Sequence, residues 1–357
     1  MGSNQVGERA IRSDGSGSSS GGEAEVEPKF EGESEPEREA GSDPDSVVIC
    51  HPTSGSEDHL ERIQLLAADR GWPTRVTETA GDARNFAREA AANGVARVVA
   101  VGGDGTVNEV VDGLLSAAVD DWPTLLIAPA GTGNNTASNL GIESVADAFE
   151  LAEDGERRRI DLGVANGRAF INSCIGGLTA EASLETSAAS KRRLGVLAYV
   201  VKTIETAATF DPPTLRVTLE DGDASTASVW EGEVALAFVG NCRRFTAGRA
   251  AQAHAEDGLL EVTLVENGSA PAVLGDAALE QLFGRDAAHI VNHRVPTVTI
   301  ERLGEQPITY SLDGEVLETD RLVLETKPAS VPVVVGDEYR PDPDTATVDE
   351  TPDIDDR

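Results

Sequence analysis

Several short clusters in this chain combine the residue types that phosphate chemistry needs. Gly102-Gly103-Asp104-Gly105-Thr106 follows the apolar run from Arg97 to Val101 and precedes Val107-Asn108-Glu109-Val110-Val111. Three glycines let backbone N–H groups approach an anion, and a helix opening behind them adds a favourable field for phosphate. Thr106, with Glu109 three residues on, reads as a capping box, and Val107, Val110, Val111, Leu114, Leu115 and Ala118 recur at helical spacing. Asp104 would repel phosphate unless a cation stood between them. The cluster therefore reads either as a magnesium-nucleotide phosphate loop or as a tight strand-to-helix turn with an exposed carboxylate.

Gly131-Thr132-Gly133-Asn134 is a second glycine loop, behind the strand-like run from Thr124 to Ala128. His51-Pro52-Thr53-Ser54-Gly55 offers hydroxyls and N–H groups at the end of another such run, as an ordinary turn also would. Ser311-Leu312-Asp313-Gly314-Glu315 sets two carboxylates around a glycine, a pattern shared with Asp-Gly hairpins. Ala255-Glu256-Asp257-Gly258-Leu259 could offer one carboxylate and nearby carbonyls to magnesium or calcium, and it too is a common turn.

The elements that must position these clusters change character along the chain. Up to about residue 138, apolar strands (46–50, 74–79, 97–101, 124–128) alternate with helical stretches (57–70, from Gly81-Asp82-Ala83 onward, and from 106), which predicts an α/β domain with a parallel sheet. Ligands lie outside the carboxyl ends of such strands, where the loops 51–55, 102–106 and 131–135 would converge. From about Arg159, short runs bounded by Gly, Asp, Asn and Pro (160–164, 168–173, 214–220, 234–240, 258–265, 298–302, 308–312, 321–325, 331–335) predict an all-β-rich domain, an antiparallel sandwich or barrel, with helical inserts near 191–208 and 270–284. The expected organisation is a disordered acidic Gly-Ser arm (1–45), an α/β domain (46–138), a β-rich domain (139–336) and a disordered acidic tail (337–357).

Composition narrows the partners. The 357 residues carry a formal charge of −34, and Lys29, Lys191, Lys202 and Lys327 are the only lysines against 25 arginines. An acidic, lysine-poor surface suits molar salt, where the Debye length shrinks to about 3 Å, so the chain reads as halophilic. It lacks the basic face that a nucleic acid requires. Cys50, Cys174 and Cys242 sit in apolar runs with neither disulfide nor zinc spacing, and read as reduced core residues. With no apolar run of membrane-spanning length and no signal-peptide core, a soluble cytoplasmic protein is expected. The oligomeric state stays open, a homodimer included.

Together these residues resemble the diacylglycerol kinase catalytic-domain family, which includes bacterial lipid kinases and sphingosine and ceramide kinases. The resemblance spans about residues 46 to 336. It rests on His51-Pro-Thr-Ser-Gly55, Thr77 with Gly81-Asp-Ala83, Gly102-Gly-Asp-Gly-Thr-Val-Asn-Glu109, Pro129-Ala-Gly-Thr-Gly-Asn134, Phe170-Ile-Asn-Ser173, Gly240-Asn241, Asp257-Gly-Leu259 and Leu312-Asp-Gly-Glu315. Gly-Gly-Asp-Gly-Thr alone is shared with NAD kinases; the later motifs separate the two families. The resemblance implies an ATP-binding first domain, a lipid-binding second domain and an active site in the cleft between them. It implies that Thr77, Gly102, Gly103, Asp104, Gly105, Thr106, Val107, Asn108, Gly131, Thr132, Gly133 and Asn134 serve ATP, with Thr53, Ser54 and Gly55 nearby. Asp104 would help hold the nucleotide's Mg2+, Glu315 would accept the proton of the lipid hydroxyl, and Asp313 would support it. Asp257, with the carbonyls of His254 and Leu259, resembles a structural magnesium site. The implied partner is a lipid substrate at a membrane surface, met by peripheral contact.

Three positions depart from the family pattern. His51 replaces a usual Asn, Thr246-Ala247-Gly248 replaces a glycine-rich segment, and Asn135 replaces an Asp that follows Asn134's equivalent in many members. Among the basic clusters, Arg157-Arg158-Arg159 reads as a solvated salt-bridged patch, while Lys191-Arg192-Arg193 and Arg243-Arg244 could face phosphate or an anionic membrane. Two alternatives remain: an NAD kinase-like phosphotransferase, and a catalytically silent nucleotide- or lipid-binding regulator.

Overall fold

The computed structural model describes residues 45–52, 59–177, 212–222, 227–245, 251–266 and 290–343. Thr53, Ser54 and Gly55, the Lys191 cluster, both expected helical inserts, residues 246–248 and most of the two terminal segments lie outside the described residues.

In the first lobe, continuous apolar runs become strands buried on both faces. β1 (Ser46–Cys50), β3 (Arg97–Gly102) and β4 (Thr124–Pro129) pair in parallel in the order β4-β3-β1, with β2 (Thr74–Val76) at the edge. The helices between them are α1 (His59–Ala68), α2 (Asp82–Ala92) and α3 (Asp104–Ser116). α2 opens at Gly81, whose φ of 87° is left-handed, and Asp82 accepts the N–H groups of Glu78 and Thr79 at 2.8 Å each. The Gly-Asp-Ala motif is thus a turn-and-cap device.

α3 begins three residues earlier than the capping-box reading placed it, at Asp104. Gly103 is its N-cap, without a side-chain cap, so Thr106 lies inside the first turn. Glu109 instead accepts the Gly81 N–H at 3.2 Å, tying α3 to the start of α2. Gly113 lets the two helices close on each other, because a Cβ there would lie 2.9 Å from Ala87 Cβ and would strike the Arg84 carbonyl.

The first lobe does not end near residue 138. α4 (Asn135–Asn139) and α5 (Val145–Asp154) follow β4, and Ala148, Phe149 and Ala152 of α5 join the first core. β5 (Glu156–Ala165) then enters the β-rich lobe with β6 (Arg168–Phe170), β7 (Ser173–Gly177), β8 (Thr214–Glu220), β9 (Ser228–Gly240), the short pair β10 (Arg243–Arg244) and β11 (Ala251–Gln252), β12 (Leu260–Glu266), β13 (Ile290–Val295), β14 (Thr297–Arg302), β15 (Ile308–Leu312) and β16 (Glu315–Thr319). All pairings among these are antiparallel, around a second core that includes Phe170, Val217, Val262, Ile300 and Tyr310.

The last strand, β17 (Arg321–Val335), belongs to both lobes. Its first residues pair antiparallel with β14, it runs antiparallel along β5, and Val333 pairs in parallel with Leu125 of β4. One sheet therefore passes through both lobes, and Val331, Val333, Val334 and Val335 complete the first core. The chain stays packed past β17. Tyr339 donates its hydroxyl to Glu256 at 2.8 Å, and Gln252 reaches the Arg340 carbonyl at 2.6 Å, so the expected disordered tail does not begin at 337. Cys50, Cys174 and Cys242 are free and buried, and burial pushes all three thiols up. Among the described residues no helix is long and apolar enough to cross a membrane.

Candidate active site

The two glycine loops form one body at the carboxyl edge of the parallel strands. Ala130 donates to the Gly102 carbonyl at 2.9 Å. A Cβ on Gly103 would stand 3.1 Å from Gly131 Cα, and one on Gly131 would stand 2.8 Å from Gly103 N. Asn134, at a left-handed φ of 48°, accepts the Gly131 N–H at 2.8 Å and donates to the Gly131 carbonyl at 2.9 Å. Its side chain therefore closes the second loop.

Asp104 is the rivet between the loops. One carboxylate oxygen accepts the N–H and side-chain amide of Asn135 at 3.1 and 3.0 Å; the other accepts the N–H and hydroxyl of Thr136 at 2.9 Å each. A carboxylate has about four acceptor positions, and protein donors occupy all of them. This corrects the expected role: Asp104 caps α4 from across the site and presents no open lone pair to a magnesium ion. Asn135 suits the arrangement, because an Asp there could not donate and would set two carboxylates together.

Other expected nucleotide residues divide by what they have left to offer. Gly105 is exposed, has no positive φ, and a Cβ built on it meets nothing within 4 Å among the described residues. Nothing in the local fold requires a glycine there, which fits close approach by a ligand. The N–H groups of α3's first turn lack intrahelical partners and point the same way. Thr132 and Gly133 are exposed beside them. Gly102 has a different reason to be glycine, since a Cβ would strike the Thr106 side chain. Val107 is buried and its N–H is bonded to the Gly103 carbonyl at 3.1 Å, so it positions the loop rather than facing a ligand. Thr77 and Asn108 are buried, and Thr77 Oγ1 and Asn108 Oδ1 have no hydrogen-bond partner among the described residues. Such atoms are rare in folded proteins unless something else satisfies them.

The β-rich lobe meets this body through Asp313. Its backbone takes the left-handed φ of 48° between β15 and β16, and its carboxylate turns inward onto the N–H groups of Ile171 (2.6 Å), Asn172 (3.1 Å) and Ser173 (2.8 Å). Asn172 in turn donates from its side chain to Thr136 Oγ1 at 2.8 Å. A continuous chain of bonds thus runs from Asp104 through Thr136 and Asn172 to Asp313. Asn241, buried, supports it by donating to the carbonyls of Ile171 and Asp161 at 2.9 and 3.0 Å. The guanidinium of Arg243 lies within the field of both Asp104 and Asp313, whose charges oppose the effect of its burial.

Burial outweighs the backbone hydrogen bonds and pushes Asp313 up to about 6, with the charge of Asp104 acting in the same direction. Because the folded-state value lies above the ordinary 3.8, protonated Asp313 favours the fold below that value, and this stability is lost as pH rises through about 6. The difference is up to about 3 kcal/mol. The melting temperature of wild type should therefore fall as pH rises from about 4 to about 7, and Asp313→Asn should remove that part of the slope.

Glu315, two residues on, opens β16. It is ion-paired with Arg168, lies 3.6 Å from Arg84, and is about one quarter exposed (27%). Sequence reasoning missed Arg84, Arg168 and Thr136 as site residues; it marked Arg243 only as part of a basic pair that could face phosphate or an anionic membrane, and the motif segments around Asn172 and Asn241 signalled two of the turns involved.

The expected structural metal turn has other partners. Asp257 pairs with Arg294 and accepts the Leu259 N–H at 2.9 Å, while His254 Nδ1 accepts the Glu256 N–H at 3.2 Å. The Arg294 guanidinium supplies the positive charge a cation would bring, so these residues do not fit an open magnesium site in this arrangement. Among the described residues no group of three or more His, Cys, Asp or Glu could hold a metal ion. Of the basic clusters, Arg158 forks onto Glu256 at 3.0 and 2.7 Å, the salt-bridged arrangement expected of that patch.

Comparison with known proteins agrees with this geometry. Residues 45–165 match the diacylglycerol kinase catalytic domain, and residues 172–335 match the YegS C-terminal NAD kinase beta sandwich-like domain. A Pseudomonas aeruginosa protein named "Probable lipid kinase YegS-like" is 33% identical over 274 residues, covering 74% of this chain and 85% of that one. A Xanthomonas campestris protein of the same name is 36% identical over 291 residues, covering 75% and 88%. A solved Bacillus anthracis structure bearing the diacylglycerol kinase name superposes with a TM-score of 0.68 at 26% identity, covering 83% of this chain and 96% of that one. The chain belongs to the diacylglycerol kinase catalytic-domain family, among its YegS-like lipid kinases.

Proposed function

We propose that this kinase transfers the γ-phosphoryl group of magnesium-bound ATP to a hydroxyl of a membrane lipid of the diacylglycerol type. The observation that carries the reading is the bond chain Asp104–Thr136–Asn172–Asp313, which ties the paired glycine loops to the hairpin bearing Glu315. The loops' free N–H groups would receive the nucleotide phosphates. Glu315 would accept the proton of the lipid hydroxyl as its oxygen attacks the γ-phosphorus; the bond to the ADP oxygen breaks and ADP leaves. Magnesium would travel with the nucleotide phosphates and neutralise charge on the transferred group, since Asp104 has no acceptor position left. Arg243 would add fixed positive charge beside it. Catalysis here is mainly positioning and charge neutralisation, and the bond chain supports the first. The cleft mouth would meet the bilayer peripherally, from the cytoplasmic side.

The test is γ-labelled ATP offered at molar KCl with either diacylglycerol vesicles or NAD. Label should enter the organic phase. Labelling of NAD alone would favour the soluble-acceptor kinase, and ATP binding without any transfer would favour a silent regulator.

Gly105→Ala gives a finer check of the loops. The added methyl meets open space in the protein and improves helix propensity by up to about 1 kcal/mol, so the melting temperature should hold or rise. ATP affinity should fall at least about tenfold, because the same methyl stands where phosphate must approach. Isothermal titration beside a melting curve separates the two effects.

A further inference from the structure

Four charged side chains from four elements, Glu315 among them, close a ring. Arg84 on α2 lies 2.7 Å from Asp112 on α3, and through the same nitrogen 3.6 Å from Glu315 on β16. The other Asp112 oxygen accepts the N–H of Ala169 on β6 at 3.0 Å. Arg168, beside Ala169, pairs with Glu315 through one nitrogen and donates to the Val316 carbonyl at 3.1 Å through another. The fold provides for each contact. Gly113 admits the close approach of α2 to α3 that brings Arg84 to Asp112, and β6 leads directly into the 171–173 turn that Asp313 holds.

The ring has two positive and two negative charges, so it needs no counter-ion and offers no surplus charge for an anionic ligand. Both arginine contacts fall on Oε2 of Glu315, and no hydrogen bond or ion pair to Oε1 appears among the described residues. A guanidinium that grips one carboxylate oxygen and the next peptide carbonyl fixes the side-chain torsions of that residue. The free oxygen then points in one direction. Two members, Arg84 and Asp112, belong to the nucleotide lobe, so the lobe that holds the phosphate donor adds a second contact to the grip of Arg168 on Glu315.

We infer that Arg84, Asp112 and Arg168 are positioning residues that orient Glu315, pinning Oε2 and leaving Oε1 to accept the hydroxyl proton. This rests on the reading of Glu315 as the base. An error of about 1 Å in a catalytic group costs on the order of a hundredfold in rate. Arg168→Gln should therefore lower kcat by about 10- to 100-fold while KM for ATP and for diacylglycerol stays within about twofold. Arg168→Lys should restore little, because an ammonium cannot fork across Glu315 and the Val316 carbonyl. Arg84→Gln should act in the same direction, more weakly at its longer distance.

The deciding measurement is single-turnover transfer in full-length Arg168→Gln, Glu315→Gln and the double variant, with melting curves to confirm folding. If Arg168 acts through Glu315, the double variant should be no slower than Glu315→Gln alone. Independent, multiplicative losses would overturn the positioning role, as would an Arg168→Gln effect confined to KM for the lipid, which would mean headgroup binding instead. Full turnover in Glu315→Gln alone would remove the base reading itself, a failure separate from either. If Arg168→Gln fails to fold, Arg84→Gln in the same cycle carries the test.

Discussion

Glu315→Gln should lower the rate of phosphoryl transfer to lipid by about 10²- to 10⁴-fold, the range that a positioned general base contributes. The substitution keeps the shape and one carbonyl oxygen, so Arg168 and Arg84 retain an acceptor at their end of the side chain. What disappears is the capacity to take up a proton. The glycine loops lie on the other lobe and touch Glu315 only through the Asp313 bond chain and the arginine ring, so ATP affinity should change by less than about twofold. Stability should change little, since the ion pairs at Glu315 are partly exposed and such pairs contribute about 1 kcal/mol or less. Initial rates with labelled ATP and diacylglycerol vesicles, beside ATP titration and a melting curve, give all three quantities. A variant that turns over at the wild-type rate would move the base elsewhere, and Asp313 is poorly placed for it because three backbone N–H groups occupy its carboxylate.

The contrast between Glu315 and Asp313 shows what the sequence could and could not say. Two carboxylates around a glycine announced a site, but their division of labour depends on the turn at Ile171–Ser173, some 140 residues earlier. The parallel strands were legible because strands buried on both faces are written as unbroken apolar runs, as in Val98–Val101 and Leu125–Ala128. β13 and β16 were not. Among the described residues each pairs on one side only, and their mixed sequences IVNHRV and EVLET lack that run. α5 did carry a signal, since Ser144 caps it through the Asp147 N–H at 3.2 Å. The division at residue 138 failed because β17 returns from the far lobe to finish the first sheet, and such sharing leaves no local trace. For the same reason the ring of Arg84, Asp112, Arg168 and Glu315, in which Arg168 and Glu315 alone stand 147 residues apart, could not be read from any one segment. Asp104 was found by its motif, yet its saturation by Asn135 and Thr136 reversed the role that an isolated Gly-Asp-Gly suggests.

That reversal gives the second large expected effect, at Gly131. If the loops act as one body riveted by Asp104, a single methyl at their closest approach should damage both stability and nucleotide binding. A Cβ on Gly131 would collide with Gly103 Cα and stand 2.8 Å from Gly103 N and 3.1 Å from Asn134 Oδ1. All three belong to backbone or to a side chain already fixed by two hydrogen bonds, so no flexible tip can yield. Relief requires the loops to part, at an overpacking cost of about 1–3 kcal/mol. Parting also moves the N–H groups of α3's first turn relative to Thr132 and Gly133. A displacement near 1 Å at such a site costs on the order of a hundredfold. Gly131→Ala should therefore lower the melting temperature by several degrees, about 4–8 °C per kcal/mol for a small domain and less for a larger one, and abolish measurable ATP binding. Gly105→Ala loses binding without the loss of stability, and Gly133→Ala, whose Cβ would stand 3.1 Å from Asp104 Oδ2, should fall between them. Equal stability in all three would mean that the loops move independently and that Asp104 does not rivet them.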